Sequence, residues 1–178
     1  MEKLRENYPI DIYWHSFQLR PPGSPPIPPA YRARIESSRP QFAARAREQY
    51  GIEINAGPFE TDSRPALIAE KVAESQGKGK AFHDAVMHAY WQQARPIGDS
   101  EVLKEIAAEV GLNTDNFEIE LANPEYEAAV EEDIELARQY GLDAVPALIF
   151  AEKYLVSGAQ PYDLLKRVVE KVQEEESK

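Results

Sequence analysis

Three histidines, an acidic run, a glycine–lysine repeat and a Val145-Pro146 step are the features of this 178-residue chain that could do chemistry, and it contains no cysteine. Lack of a thiol removes disulfides, thiolate metal sites and thiol nucleophiles from this chain, and leaves its redox compartment open. His83 and His88 are five apart on a predicted helix, so they splay instead of sharing the face that a zinc pair at i, i+4 needs. No metal and no cofactor are expected. His15 lies between Trp14 and Ser16 on a predicted strand with no nucleophile beside it, and reads as a satisfied structural histidine. Glu127, Glu131, Glu132, Asp133 and Glu135 are assigned to the outer, solvated face of a helix, which argues against paired-carboxylate catalysis. Gly77-Lys78-Gly79-Lys80 lacks both the preceding strand and the glycine spacing of a phosphate loop. From the residues alone, Val145-Pro146 is a proline at the start of a strand.

Charge and hydropathy narrow the partners. Thirty-one acidic against twenty basic residues give a net charge of −11, which repels a phosphate backbone, so nucleic acid is not an expected partner. Arg32, Arg34, Arg39, Arg45 and Arg47 read as the solvated face of a helix before they read as a binding patch. No apolar run approaches the roughly 20 residues of a membrane helix. The charged opening Met1-Glu2-Lys3-Leu4-Arg5-Glu6 has no apolar core of a secretory signal. A membrane is therefore not expected as a partner, and a cytoplasmic location is.

The elements that must position these residues follow from periodicity and caps. Met1 to Tyr8 has the pattern of the last turns of a helix, stopped by Pro9, and Ile10 to Leu19 reads as an interior strand, apolar on both faces. Pro21, Pro22, Pro25, Pro26, Pro28 and Pro29 predict an extended linker. Helices are expected over about Pro40 to Tyr50 and from near Ser63-Arg64-Pro65 to about Gln76. Phe82, Ala85, Val86, Ala89 and Tyr90, then Val102, Leu103, Ile106, Ala107 and Val110 after an Asp99 cap, predict two helices lining one core. Asn123-Pro124-Glu125 starts the clearest helix, with Tyr126, Ala129, Val130, Ile134, Ala137 and Tyr140 inward and Gly141 as its stop. Val145 to Ala151 and Tyr154 to Ser157 read as a hairpin, and Gln160-Pro161 opens a last helix with Leu164, Leu165, Val168, Val169 and Val172 inward.

Strand, helical block, two strands and a helix resemble a thioredoxin-like core with the all-helical insertion of the DsbA branch. Gln76-Gly77-Lys78-Gly79-Lys80-Ala81-Phe82-His83, Ala89-Tyr90-Trp91-Gln92, Ile97-Gly98-Asp99-Ser100-Glu101-Val102-Leu103 and Ser157-Gly158-Ala159-Gln160-Pro161 resemble the cytoplasmic DsbA-like proteins of the FrnE type. The related 2-hydroxychromene-2-carboxylate isomerases and kappa-class glutathione transferases share the fold. The resemblance implies an α/β fold: a single domain over 1–178, with a thioredoxin-like part at 1–20 and 141–178, a proline-rich connection at 21–39 and a helical insertion at 40–140. It implies a thiol–disulfide oxidoreductase lineage whose first strand and Cys-x-x-Cys helix start would precede Met1 by about 20 to 30 residues. It also implies a cis Val145-Pro146 peptide at which an extended peptide or protein thiol substrate binds by strand addition, and places Tyr90 and Trp91 either over the active site or in the core. Without the first strand, the sheet is expected to close by dimerisation, by inward slippage of Ile10 to Leu19, or in a longer chain. The activity expected of this chain is none in redox turnover. The alternatives are a non-catalytic peptide-binding module, or a fragment of an isomerase-like or glutathione-dependent enzyme.

Overall fold

The computed structural model describes residues 1–21 and 23–177; Pro22 of the proline-rich connection and Lys178 lie outside them. In chain order the elements are α1 (Glu2–Asn7), α2 (Pro29–Tyr50), α3 (Arg64–Ser75), α4 (Gly79–Trp91), α5 (Ser100–Glu109), α6 (Phe117–Leu121), α7 (Pro124–Gln139), β1 (Ala147–Phe150), β2 (Tyr154–Ser157) and α8 (Tyr162–Glu176). They divide into two compact units, one of Met1–Leu19 with Glu132–Lys178 and one of Arg20–Glu131. The architecture is mostly helical with a small two-stranded sheet.

In the helical unit, α3 packs on α4, α5 and α6, and α4 on α5. Alanines at 66, 69 and 73 let the helices approach closely around Phe82, Leu103, Ile106 and Phe117, each at most 5% exposed. The predicted inward faces of α4 and α5 thus line one core, with Ala85, Val102 and Val110 at its margin. Asp99 caps α5 by accepting the Glu101 N–H at 2.9 Å, which satisfies a donor the first helical turn leaves free. Gly57 and Gly98 are tight crossings. A Cβ on Gly57 would lie 2.6 Å from the Tyr90 ring, and one on Gly98 would lie 2.8 Å from the Asp62 carbonyl oxygen.

α2 corrects the expected boundary. The helix starts at Pro29, not near Pro40, because a proline at the first helical position forgoes a hydrogen bond that position never makes. Pro40 lies inside the helix. In the turn before it, the Ser37 and Ser38 hydroxyls donate to the Arg34 and Ile35 carbonyls at 2.9 and 2.8 Å.

In the sheet unit, β1 and β2 pair antiparallel, with Ala147 opposite Ser157 and Phe150 opposite Tyr154. Leu148 and Phe150 of β1 and Val156 of β2 pack on a cluster of Leu4, Leu165 and Val169 from α1 and α8. The Tyr8 hydroxyl donates to Glu170 at 2.8 Å, and its pKa is pushed up to about 12 by desolvation and then by that carboxylate. Residues 10–19 depart from the expected strand. They join no ladder among the described residues, and β1 has β2 as its only strand neighbour there, so the inward slip has not occurred. A strand is held by the ladder its neighbour supplies, and alternating side chains alone do not make one. Ser16 and Gln18 are buried, whereas Tyr13 is 78% exposed, so neither face is the apolar one foreseen.

Candidate functional site

Val145 and Pro146 stand just ahead of β1 and are both exposed, Val145 at 53%. Their peptide bond is cis. The Pro146 carbonyl accepts the Gly158 N–H at 2.8 Å, extending the hairpin by one step beyond the Ala147–Ser157 pair. Gly158 has φ of 75°, a conformation in which a Cβ is strained, and the Gln160 amide donates to the Ser157 carbonyl at 2.9 Å to hold the following turn. The Val145 N–H and C=O have no partner among the described residues. An exposed apolar side chain therefore stands beside a free backbone donor and acceptor. That is the chemistry that hydrogen-bonds an extended peptide without reading its sequence.

The second constellation is at His15. Its Nδ1 lies 2.6 Å from Oδ1 of Asp133, and the Ser16 N–H donates to Oδ2 of the same carboxylate at 2.8 Å. Asp133 is 9% exposed, so it is not on the solvated face assigned to it. Its position, seven residues after Tyr126 and four before Ala137, matches the inward spacing of α7, a signal the acidic run hides. The pair tethers an extended segment to a helix, and no nucleophilic side chain is bonded to the ring among the described residues. Glu127 and Glu131 are likewise engaged: both pair with Arg64, whose Nε donates to Glu127 at 3.0 Å and whose side chain is 15% exposed.

The remaining sequence candidates resolve into packing. His83 Nδ1 lies 2.9 Å from Glu70, which raises the imidazole pKa above its ordinary value, while His88 is exposed. Among the described residues, no group of three or more His, Cys, Asp or Glu side chains could hold a metal ion. Gly77 and Lys78 cap α3, their N–H groups donating to the Glu74 and Ala73 carbonyls at 2.9 and 2.8 Å. Tyr90 and Trp91 meet edge to face at 5.1 Å, Trp91 also meets Phe42 at 6.0 Å, and the Tyr90 hydroxyl donates to the Pro58 carbonyl at 3.3 Å. Among the described residues, no helix is long and apolar enough to cross a membrane.

A family model described as a DSBA-like thioredoxin domain matches residues 1–170. YwbO, an uncharacterized protein of Bacillus subtilis (strain 168), is 25% identical over 163 residues, which are 90% of this chain and 81% of YwbO. A probable DsbA oxidoreductase of Streptomyces coelicolor is similar in structure with a TM-score of 0.70 at 23% identity, over 81% of this chain. The chain spans 62% of that protein's length. A 2-hydroxychromene-2-carboxylate isomerase is similar with a TM-score of 0.78 at 16% identity, over 99% of this chain and 88% of its own. At such identities the two structures are likenesses of fold.

Proposed function

The chain belongs to the DsbA-like thioredoxin domain family, and we propose that it is a FrnE-type member of this thiol–disulfide oxidoreductase lineage that is redox-inactive as it stands and holds extended peptides at Val145 and Pro146. Disulfide exchange proceeds by thiolate attack on a disulfide sulfur, and no residue of this chain can supply a thiolate. What the lineage retains is the means of holding a substrate. The carrying observation is Val145, half exposed with its backbone N–H and C=O unpaired among the described residues, next to a hairpin that is hydrogen-bonded on its far side. The ligand in this reading is an extended peptide or protein segment, bound through main-chain hydrogen bonds with an apolar side chain against Val145. The cytoplasm is part of the same reading, since the motifs resemble cytoplasmic members.

The test is a pair of assays on the purified chain. With insulin and dithiothreitol, the chain should leave the rate of disulfide reduction at background. Acceleration above background by this chain alone would sink the redox-inactive reading. With a reduced, carboxymethylated protein as an unfolded ligand, binding should be measurable and should weaken by about tenfold in Val145→Asp, which places an unpaired charge against an apolar contact. Equal binding by wild type and variant would move the ligand site elsewhere. Saturable binding of glutathione in place of the unfolded ligand would favour the glutathione-linked branch of the fold.

A further inference from the structure

α2 is 22 residues long, about 33 Å at 1.5 Å per residue. Only Ala46 on it is buried, and Ile35, Arg39 and Ala43 extend that contact into one narrow stripe. A helix of this length with so little covered surface has a second face to account for. Residues 31, 34, 38, 42 and 45 recur at three-to-four spacing and share that face. It carries an aromatic and a guanidinium group on either side of Ser38, with Tyr31 and Phe42 at 47% and 50% exposure, Arg34 lying over the Tyr31 ring at 4.9 Å and the Phe42 ring meeting Trp91 at 6.0 Å. Arg32 is taken by Glu36 and Glu60, and Arg47 by Glu53. Arg34 and Arg45 have no carboxylate partner among the described residues. Residues 29–50 hold five arginines against two glutamates, a local +3 in a chain of −11, which leaves −14 on all the other residues.

The complementary face is on α7. Glu125, Ala128, Glu132, Glu135 and Leu136 are exposed and recur at helical spacing. Glu125 and Glu132 have no basic partner among the described residues, and Glu135 has only Arg138 of its own helix, at 3.3 Å. Arg34 and Arg45 are 11 residues apart, about 16 Å along a helix, and Glu125 and Glu135 are 10 apart, about 15 Å. Laid antiparallel with Arg45 against Glu125, α2 would set Phe42 at the level of Ala128, Ser38 at the level of Glu132 and Arg34 about 1.5 Å past the level of Glu135. We propose that α2 of one copy of this chain docks on α7 of a second copy, through the charge pairs Arg45–Glu125 and Arg34–Glu135 at the two ends of the contact, with Phe42 over Ala128 between them. Aromatic and arginine side chains are the groups most often found at the energetic centre of such interfaces.

Charge reversal tests this directly on the full chain by light scattering after size exclusion. Wild type should elute as a dimer. Arg34→Glu/Arg45→Glu and Glu125→Arg/Glu135→Arg should each weaken self-association by roughly tenfold or more, with unchanged circular dichroism. An equimolar mixture of the two reversed variants should recover the dimer mass, because the reversed faces again match. A monomeric wild type, a dimer that survives both reversals, or a mixture that stays monomeric would overturn the proposal. Because the chain has no cysteine, a Ser38→Cys variant mixed with a Glu132→Cys variant offers a second readout. Oxidation should give the mixed disulfide in preference to either homodimer, and a statistical distribution would count against this register.

Discussion

The two units solve the same packing problem with unequal means. The helical unit gathers eleven buried residues into one core, whereas the sheet unit centres on three, Leu4, Leu165 and Val169. Helices satisfy their backbone groups internally, so a helical unit needs only side-chain burial to be stable. A strand needs a neighbour, and in the sheet unit β1 has β2 alone while residues 10–18 have no ladder among the described residues. Both units leave large apolar groups in water, Tyr13 and Leu19 at 78% and 62% exposure in the sheet unit and Tyr50 and Ile119 at 74% and 70% in the helical one. The comparison teaches that the units differ in how their backbone groups are satisfied rather than in exposed apolar surface, and that the proposed peptide-facing surface belongs to the part whose strands lack neighbours.

The largest expected effect breaks the stronger side. Phe82 is fully buried among helices α3, α4 and α5, and Phe82→Ala should cost about 3–5 kcal/mol in urea denaturation. Leu4→Ala in the sheet unit should cost about 2 kcal/mol, the low end for a buried leucine, because a small cluster collapses more readily into the space. Equal losses would show that the difference in core size does not govern local stability.

The next effect concerns how the extended segment is held without a ladder. Asp133 accepts from both His15 and the Ser16 N–H. Asp133→Ala strands that buried N–H and should cost about 1–3 kcal/mol. Asp133→Asn keeps an acceptor for Ser16 and should lose less. Hydrogen exchange at Ser16 should rise in the alanine variant and stay near wild type in the asparagine one. Unchanged exchange in both would mean that something other than this carboxylate fixes the segment.

Legibility in the sequence follows the same division. Elements specified by local rules stand where the residues place them: the Asp99 cap of α5, the Pro124 start of α7 and the hairpin strand Tyr154–Ser157. Two of the three departures are matters of partners. Residues 10–19 have strand-like composition, but composition does not say whether a neighbour is present. Asp133 reads as solvent-facing by charge and as inward by spacing, and its partner lies 118 residues away, beyond any local window. The α2 boundary was missed for another reason, since a proline can open a helix as well as close a linker. The cis form of the Val145-Pro146 bond was legible only through the wording around it, because a valine and a proline before a strand do not by themselves specify the isomer.

The smallest expected effect sharpens the comparison from within the helical unit. His83, on α4, is bonded to Glu70 of α3 at 2.9 Å. That hydrogen bond is the main cause of its raised pKa, with attraction to Glu70 and Asp84 adding to it and burial and Lys80 opposing. The unfolded histidine titrates near its ordinary value of about 6.5. Folded His83 therefore binds its proton more tightly than unfolded His83 does. Its contribution is fully present below about pH 6.5 and is lost as pH rises through the higher folded pKa. The difference in unfolding free energy between wild type and His83→Gln should accordingly shrink from about pH 6 to about pH 8. A difference that holds constant across that range would reduce the contact to packing, and would leave the helical unit's stability to burial alone.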